Sequence, residues 1–201
     1  AGAAPLGAPA VCAAACAFAC QIYADFSGYS DIARGSAALL GVELSENFAE
    51  PYRAASPREF WRRWHMSLNR WFVSYVYRPL GGGSSAATRV WAAMAVFLLS
   101  GLWHGSAWHY VALGGMHGVF QIVGILTKPF RTKVLVLCGL GAYDHGIKGG
   151  VRVRRGWQFV QMAATFVLFT LAAMVFRANS IADAGIIFKK LAHIPVEAWH
   201  A

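Results

Sequence analysis

Four stretches of this chain are apolar, carry no acidic residue, lysine or arginine, and are about as long as a bilayer is thick. A transmembrane helix needs about 17–20 such residues. Each stretch therefore predicts a membrane-spanning helix. The stretches are residues 8–24, 90–107, 108–127 and 157–176. A fifth apolar run, residues 134–142, is too short to span and predicts a re-entrant segment or part of a bent helix.

The composition agrees with a membrane protein. Hydrophobic residues make up 57% of the chain and charged residues only 13%, whereas soluble domains carry about 25% charged residues. We therefore predict an all-α fold, a polytopic helical membrane protein with amphipathic or re-entrant helices, forming a single membrane domain over residues 1–201. The chain begins without Met or a signal peptide, so we expect it to be a piece of a longer protein.

The net charge of +9 comes from basic residues between the apolar runs. By the positive-inside rule these connections face the cytoplasm, where anionic lipid is their expected partner. No recognition motif accompanies the charge, so nucleic-acid binding is not expected. The basic residues are Arg53, Arg58, Arg62, Arg63, Arg70 and Arg78, then Lys128, Arg131 and Lys133, and finally Lys148, Arg152, Arg154 and Arg155.

The first long connection contains an amphipathic pattern. Ser56-Pro57-Arg58-Glu59 has the form of a capping box, with Ser at the N-cap and Glu at the third helical position. Aromatic and aliphatic residues then recur at helical spacing. The pattern predicts one helix over 57–77, lying in the interface or folded back among the spans. A shorter helix is predicted from Ser30 to Leu40, ended by Gly41.

Histidines are the main candidates for chemistry, because ionisable groups within spans are costly and often functional. His104 lies between two glycines, where it is equally compatible with a general base in a pocket and with a packing residue. His65 lies at the edge of the amphipathic pattern, where it would face a polar cavity or simply pack at the interface. His109 and His117 also fall in the third apolar run.

The sequence does not favour a metal site or a disulfide framework. His104, His109 and His117 lack the spacing that puts two ligands on one helix face. Cys12, Cys16 and Cys20 recur every fourth residue and are expected to act as small apolar side chains. Gly114 and Gly118 indicate close helix packing instead.

Several distinctive motifs follow one another along the chain. They are Asp25-Phe26-Ser27-Gly28-Tyr29-Ser30-Asp31, Glu46-Asn47-Phe48, Pro51-Tyr52, Glu59-Phe60-Trp61-Arg62-Arg63-Trp64-His65-Met66-Ser67-Leu68, Tyr77-Arg78-Pro79-Leu80-Gly81-Gly82, Gly101-Leu102-Trp103-His104-Gly105 and Phe176-Arg177-Ala178. In this order they resemble the membrane-bound O-acyltransferase (MBOAT) family, in the branch of the alginate O-acetyltransferase membrane subunits. The resemblance implies that this chain is the C-terminal portion of such a protein.

The resemblance also implies residue roles. His104 matches the family's catalytic histidine and would take the proton from an acceptor hydroxyl. His65 matches its second functional histidine, which would orient the acyl donor or stabilise developing charge. Weaker candidates for substrate binding are Arg62, Arg63, Asn69 and Trp103. The chemistry implied needs no metal and no tightly bound cofactor, only an acyl donor such as acetyl-CoA or another acyl thioester.

The implied function is transfer of an acetyl group to hydroxyls of an exopolysaccharide such as alginate, at the bacterial inner membrane. Transfer would be direct or through periplasmic acetyltransferase partner proteins. One alternative is D-alanyl or other acyl transfer to teichoic acid, lipid or protein. A second alternative is a transporter or membrane scaffold, in which both histidines only pack.

Overall fold

The computed structural model describes residues 8–144 and 150–192. Within these residues the protein is mainly α-helical, with a short 3₁₀ turn at Pro51–Arg53, a π-helical turn at Val73–Tyr77 and one two-stranded antiparallel sheet. The helices are α1 Ala8–Leu39, α2 Pro57–Arg63, α3 Met66–Phe72, α4 Ala86–His104, α5 Trp108–Leu137, α6 Arg155–Arg177 and α7 Ile181–Ala192; the strands are β1 Gly141–Asp144 and β2 Gly150–Val153.

Four of the helices in the described part of the chain, α1, α4, α5 and α6, are long and apolar enough to cross a membrane. Each contains most or all of one predicted span. Helix α1 is longer than expected, because it continues past Asp25 to Leu39 and absorbs the separate helix predicted from Ser30. It ends where Gly41 adopts a positive φ of 75°, as the glycine predicted.

Only the first half of the short apolar run 134–142 is helical. Helix α5 continues through its first half to Leu137 and ends before Gly139, whose φ is 65°. The chain then enters β1, which pairs antiparallel with β2 from Gly141 opposite Val153. The apolar pattern of a few residues does not distinguish a helix end from a strand.

The amphipathic helix predicted over 57–77 is wrong as one continuous element. Its start is confirmed, since the Ser56 hydroxyl accepts a hydrogen bond of 3.2 Å from the Glu59 backbone N–H. The helix then breaks at Trp64, which is extended, and at His65, whose φ is 45°. A segment far away in sequence bonds to both sides of this break: Ala49 N–H donates to the Arg63 carbonyl and Met66 N–H to the Asn47 carbonyl, each at 2.9 Å.

An aromatic cluster ties α1, α2 and α6 together. Phe60, Trp64 and Phe169 are buried at its centre. The ring centroids of Phe60 and Phe169 lie 4.3 Å apart, and those of Trp64 and Phe169 5.0 Å apart. Tyr52 packs on the same cluster, and its hydroxyl donates to the Ala19 carbonyl of α1. The broken segment is thereby fixed against two spans.

Helices α4 and α5 approach each other through glycines. A β-carbon at Gly114 would collide with the Phe97 carbonyl oxygen, and one at Gly101 with the Tyr110 carbonyl oxygen. A β-carbon at Gly118 would lie 2.7 Å from the sulfur of Met94. Small residues allow such backbone contact in membranes, where helix association depends on close packing. The packing role predicted for Gly114 and Gly118 is confirmed.

Replacing Gly114 with alanine should therefore separate these helices. We expect Gly114→Ala to lower the free energy of unfolding by about 1–3 kcal/mol, the usual cost of overpacking. The matched control is Gly115→Ala, because its β-carbon would meet only Leu98 Cδ2 at 3.9 Å. Thermal unfolding in detergent compares the two variants. Equal stability of the two variants would contradict the close contact between Gly114 and the Phe97 carbonyl oxygen.

Candidate active site

His104 lies at the last residue of α4, where the chain turns into α5. Gly105 follows with a φ of 156°, and a β-carbon there would lie 2.7 Å from the Tyr110 ring. The His104 side chain is exposed. Its ring centroid is 4.9 Å from that of Trp103 and 5.4 Å from that of Phe176. Gly105 thus permits a tight turn between α4 and α5, with His104 exposed at the end of α4.

His65 lies at the break between α2 and α3. Its ring packs edge-on against Phe26, with centroids 4.7 Å apart, and lies 5.9 Å from the Trp103 centroid. Trp103 therefore contacts the rings of both His65 and His104. The structure brings together the two histidines that the motifs single out, although they are far apart in sequence.

The two nitrogens of His65 have different surroundings. Nδ1 lies 3.3 Å from the Asn47 side-chain oxygen. Nε2 is buried and has no hydrogen-bond partner within the described residues. His65 also lines a cavity of about 20 Å³, whose other polar lining residues include Asn69 and Ser100. A cavity of this size holds about one water molecule or one small polar group.

His65 is neutral at ordinary pH. Burial lowers its pKa to about 4, and a protonated His104 nearby lowers it further by like-charge repulsion. A neutral imidazole has one nitrogen that donates a hydrogen bond and one that accepts. His65 is thus suited to orient a hydroxyl or to exchange a proton with it.

The four predicted substrate-binding residues occupy different environments. Asn69 lines the cavity, and its side-chain nitrogen donates to the Trp61 carbonyl at 2.7 Å. Trp103 is 56% exposed between the two histidines. Arg62 is exposed and makes no hydrogen bond or ion pair with the described residues. Arg63 instead bonds to Glu59, at 2.7 Å, and to the Ala49 carbonyl, at 3.2 Å.

The other histidines that the structure describes in this region are buried. His117 is 7% exposed, and its ring lies 4.9 Å from Trp61 and 6.1 Å from Phe97, measured between centroids. His109 packs on Tyr110 with centroids 4.0 Å apart. These contacts favour the packing role for both.

Sequence reasoning missed a role for Asn47. Its side-chain oxygen accepts from the Ser67 backbone N–H at 3.1 Å and from the Ser67 hydroxyl at 2.9 Å, in addition to facing His65. The available signal was its position in the motif Glu46-Asn47-Phe48. Local patterns assign no partner to such a residue, because the partner lies elsewhere in the chain.

The fold and the site together define a multi-pass helical membrane protein with two motif histidines at one helix junction. The profile of the membrane-bound O-acyltransferase family matches residues 4–137, and the chain belongs to this family.

The chain is 35% identical over 176 residues to the "Probable alginate O-acetylase AlgI" of Pseudomonas syringae pv. tomato, covering 85% of this chain and 29% of that protein. It is 42% identical over 100 residues to the peptidoglycan O-acetyltransferase of Helicobacter pylori, covering 49% and 19%. It is 34% identical over 112 residues to the teichoic acid D-alanyltransferase of Bacillus subtilis, covering 52% and 28%. The chain thus spans less than a third of the length of these relatives.

The lowered pKa of His65 has a consequence for stability. In the unfolded chain its pKa is 6.5 and in the folded protein about 4, so the unfolded state binds more protons between these values. The stabilisation that neutral His65 provides is complete above pH 6.5 and is lost as the pH falls toward 4. We expect His65→Gln to make thermal unfolding less dependent on pH in this window. Identical slopes for both proteins would contradict a lowered pKa.

The two adjacent arginines allow a matched comparison. Arg63→Ala should lower the free energy of unfolding by about 1 kcal/mol, because it removes charge-assisted hydrogen bonds that are partly exposed to solvent. Arg62→Ala, at the neighbouring exposed position, should change stability by less than about 0.5 kcal/mol. Chemical unfolding in detergent measures both. A larger loss for Arg62→Ala would reverse this assignment.

Proposed function

We propose that this chain forms part of an enzyme that transfers an acetyl group from an acyl thioester, such as acetyl-CoA, to a hydroxyl of an exopolysaccharide. The observation that carries the proposal is the convergence of His65 and His104 on Trp103, beside a small cavity. Because the chain belongs to the acyltransferase family, we interpret the two histidines as groups that act in acyl transfer.

In the proposed reaction His104 acts as the general base. It takes the proton from the acceptor hydroxyl while the hydroxyl oxygen attacks the carbonyl carbon of the thioester. The carbon–sulfur bond then breaks, and the departing thiolate takes up the proton as the free thiol. His65 would orient a reacting group beside it. Arg62, Asn69 and Trp103 would bind the substrates, whereas the Arg63 bonds to Glu59 favour a structural role.

The acceptor we favour is an alginate-like polysaccharide, since the relatives that align over most of this chain are described as alginate O-acetylases. The protein would act in the bacterial inner membrane, either directly on the polymer or by passing the acetyl group to periplasmic acetyltransferase partners. The matches to peptidoglycan O-acetyltransferase and teichoic acid D-alanyltransferase support the same chemistry on other envelope polymers, as the alternative.

The decisive experiment compares ester-linked acetyl on secreted polysaccharide between wild type and His104→Ala, in the native host and at matched membrane levels. We expect loss of at least about a hundredfold, the usual contribution of a general base. The control is His109→Gln, a histidine five positions away that packs on Tyr110; its acetylation should stay within about twofold. Normal acetylation with His104→Ala would contradict either the acceptor or the role of His104.

The transporter or scaffold alternative gives a different result in the same assay. If both histidines only pack, then His104→Ala and His65→Gln would affect acetylation only as far as they reduce the amount of folded protein. Measuring acetyl per unit of detergent-extracted, folded protein separates the two interpretations.

A further inference from the structure

The orientation of the Asn47 side-chain amide follows from its neighbour Ser67. One of the two terminal atoms of the amide lies 3.1 Å from the Ser67 backbone nitrogen. A backbone N–H can only donate a hydrogen bond, so the amide NH₂ group at this position would put two donors against each other. The atom that faces Ser67 must therefore be the amide oxygen.

The same oxygen determines the protonation of His65. It lies 3.3 Å from Nδ1 of the imidazole. Because an amide oxygen only accepts, Nδ1 must carry the hydrogen. In a neutral imidazole the other nitrogen then has a free lone pair. His65 is thus held as the Nδ1–H tautomer, with Nε2 as a hydrogen-bond acceptor.

The acceptor nitrogen lacks a protein partner. Nε2 of His65 is buried and unpaired among the described residues, and His65 lines the cavity of about 20 Å³ beside Asn69 and Ser100. A buried acceptor without a partner is costly. The cavity therefore favours an occupant that brings an O–H group, such as a water molecule or a hydroxyl of a substrate.

Asn47 also supports the backbone of His65. Its carbonyl accepts from the Met66 N–H at 2.9 Å, directly after the residue that adopts a φ of 45°. This left-handed conformation is uncommon for residues other than glycine and persists when surrounding bonds enforce it. One residue thus fixes both the backbone and the ring of His65.

We propose that Asn47 is a positioning residue that holds His65 as the Nδ1–H tautomer, so that Nε2 accepts a hydrogen bond from a hydroxyl in the cavity. That this group is a second hydroxyl of the sugar acceptor, distinct from the one that His104 deprotonates, rests on the proposed function. Of the two roles that the family resemblance implies for His65, this tautomer supports orientation of a reactant. It does not support stabilisation of an oxyanion, which needs a donor.

The test measures the tautomer directly, by ¹⁵N NMR of the full-length protein labelled at histidine, in lipid nanodiscs at pH 8. The His65 signals are assigned from their loss in His65→Gln. We expect the Nδ1–H pattern in wild type and in Asn47→Asp, which keeps an acceptor oxygen, and its loss in Asn47→Leu. The control Ser45→Ala removes a different bond of the same loop, the one from Arg70 at 2.6 Å, and should keep the pattern.

Acetylation measured on the same variants should follow the tautomer. We expect Asn47→Leu to lower kcat by about 10–100-fold, because a small misplacement of a reacting group can cost about a hundredfold. Asn47→Asp should restore most of the lost kcat. An Nε2–H tautomer in wild type, or full kcat in Asn47→Leu, would overturn the inference. The spectrum does not depend on catalysis, so a failure of the proposed function, seen with His104→Ala, is distinguishable from a failure here.

Discussion

The hydrogen bonds between residues 47–49 and the break at residues 63–66 determine the arrangement of the rest of the site. They supply partners for backbone groups that a continuous helix would have used, and a break without partners would be costly in a membrane. The break turns α3 away from α2, which places His65 against α1 and against the end of α4. Without this non-local pairing the two motif histidines would not share a neighbour.

The aromatic cluster complements these polar bonds. The hydrogen bonds set the direction of the chain at His65. The packed rings of Phe60, Trp64 and Phe169 hold the same segment against α1 and α6. Aromatic pairs contribute about 0.5–1.5 kcal/mol beyond the effect of their buried area. The combination holds an irregular backbone segment against neighbouring helices and gives its backbone groups hydrogen-bond partners within the protein.

Sequence reasoning succeeded where a local rule was sufficient. The four spans follow from length and hydropathy, the start of α2 follows from Ser56, and the end of α1 follows from Gly41. Sequence reasoning failed where contacts with a distant segment determine the local structure. The aromatic spacing over 57–77 is consistent with one helix, and nothing within that window indicates that residues 47–49 interrupt it. The partner of Asn47 could not be predicted for the same reason. The two histidines, by contrast, were identified through the family motifs.

The glycine contacts between α4 and α5 also constrain how the site can open. The backbones of α4 and α5 are in direct contact at Gly101 and Gly114. Sliding or rotation of one helix past the other would break this contact, so we expect the two helices to move as one rigid body. His104, Trp103 and the cavity wall contributed by Phe97 belong to that body. Any widening of the cavity would therefore displace α4 and α5 together, relative to the α2–α3 segment that carries His65.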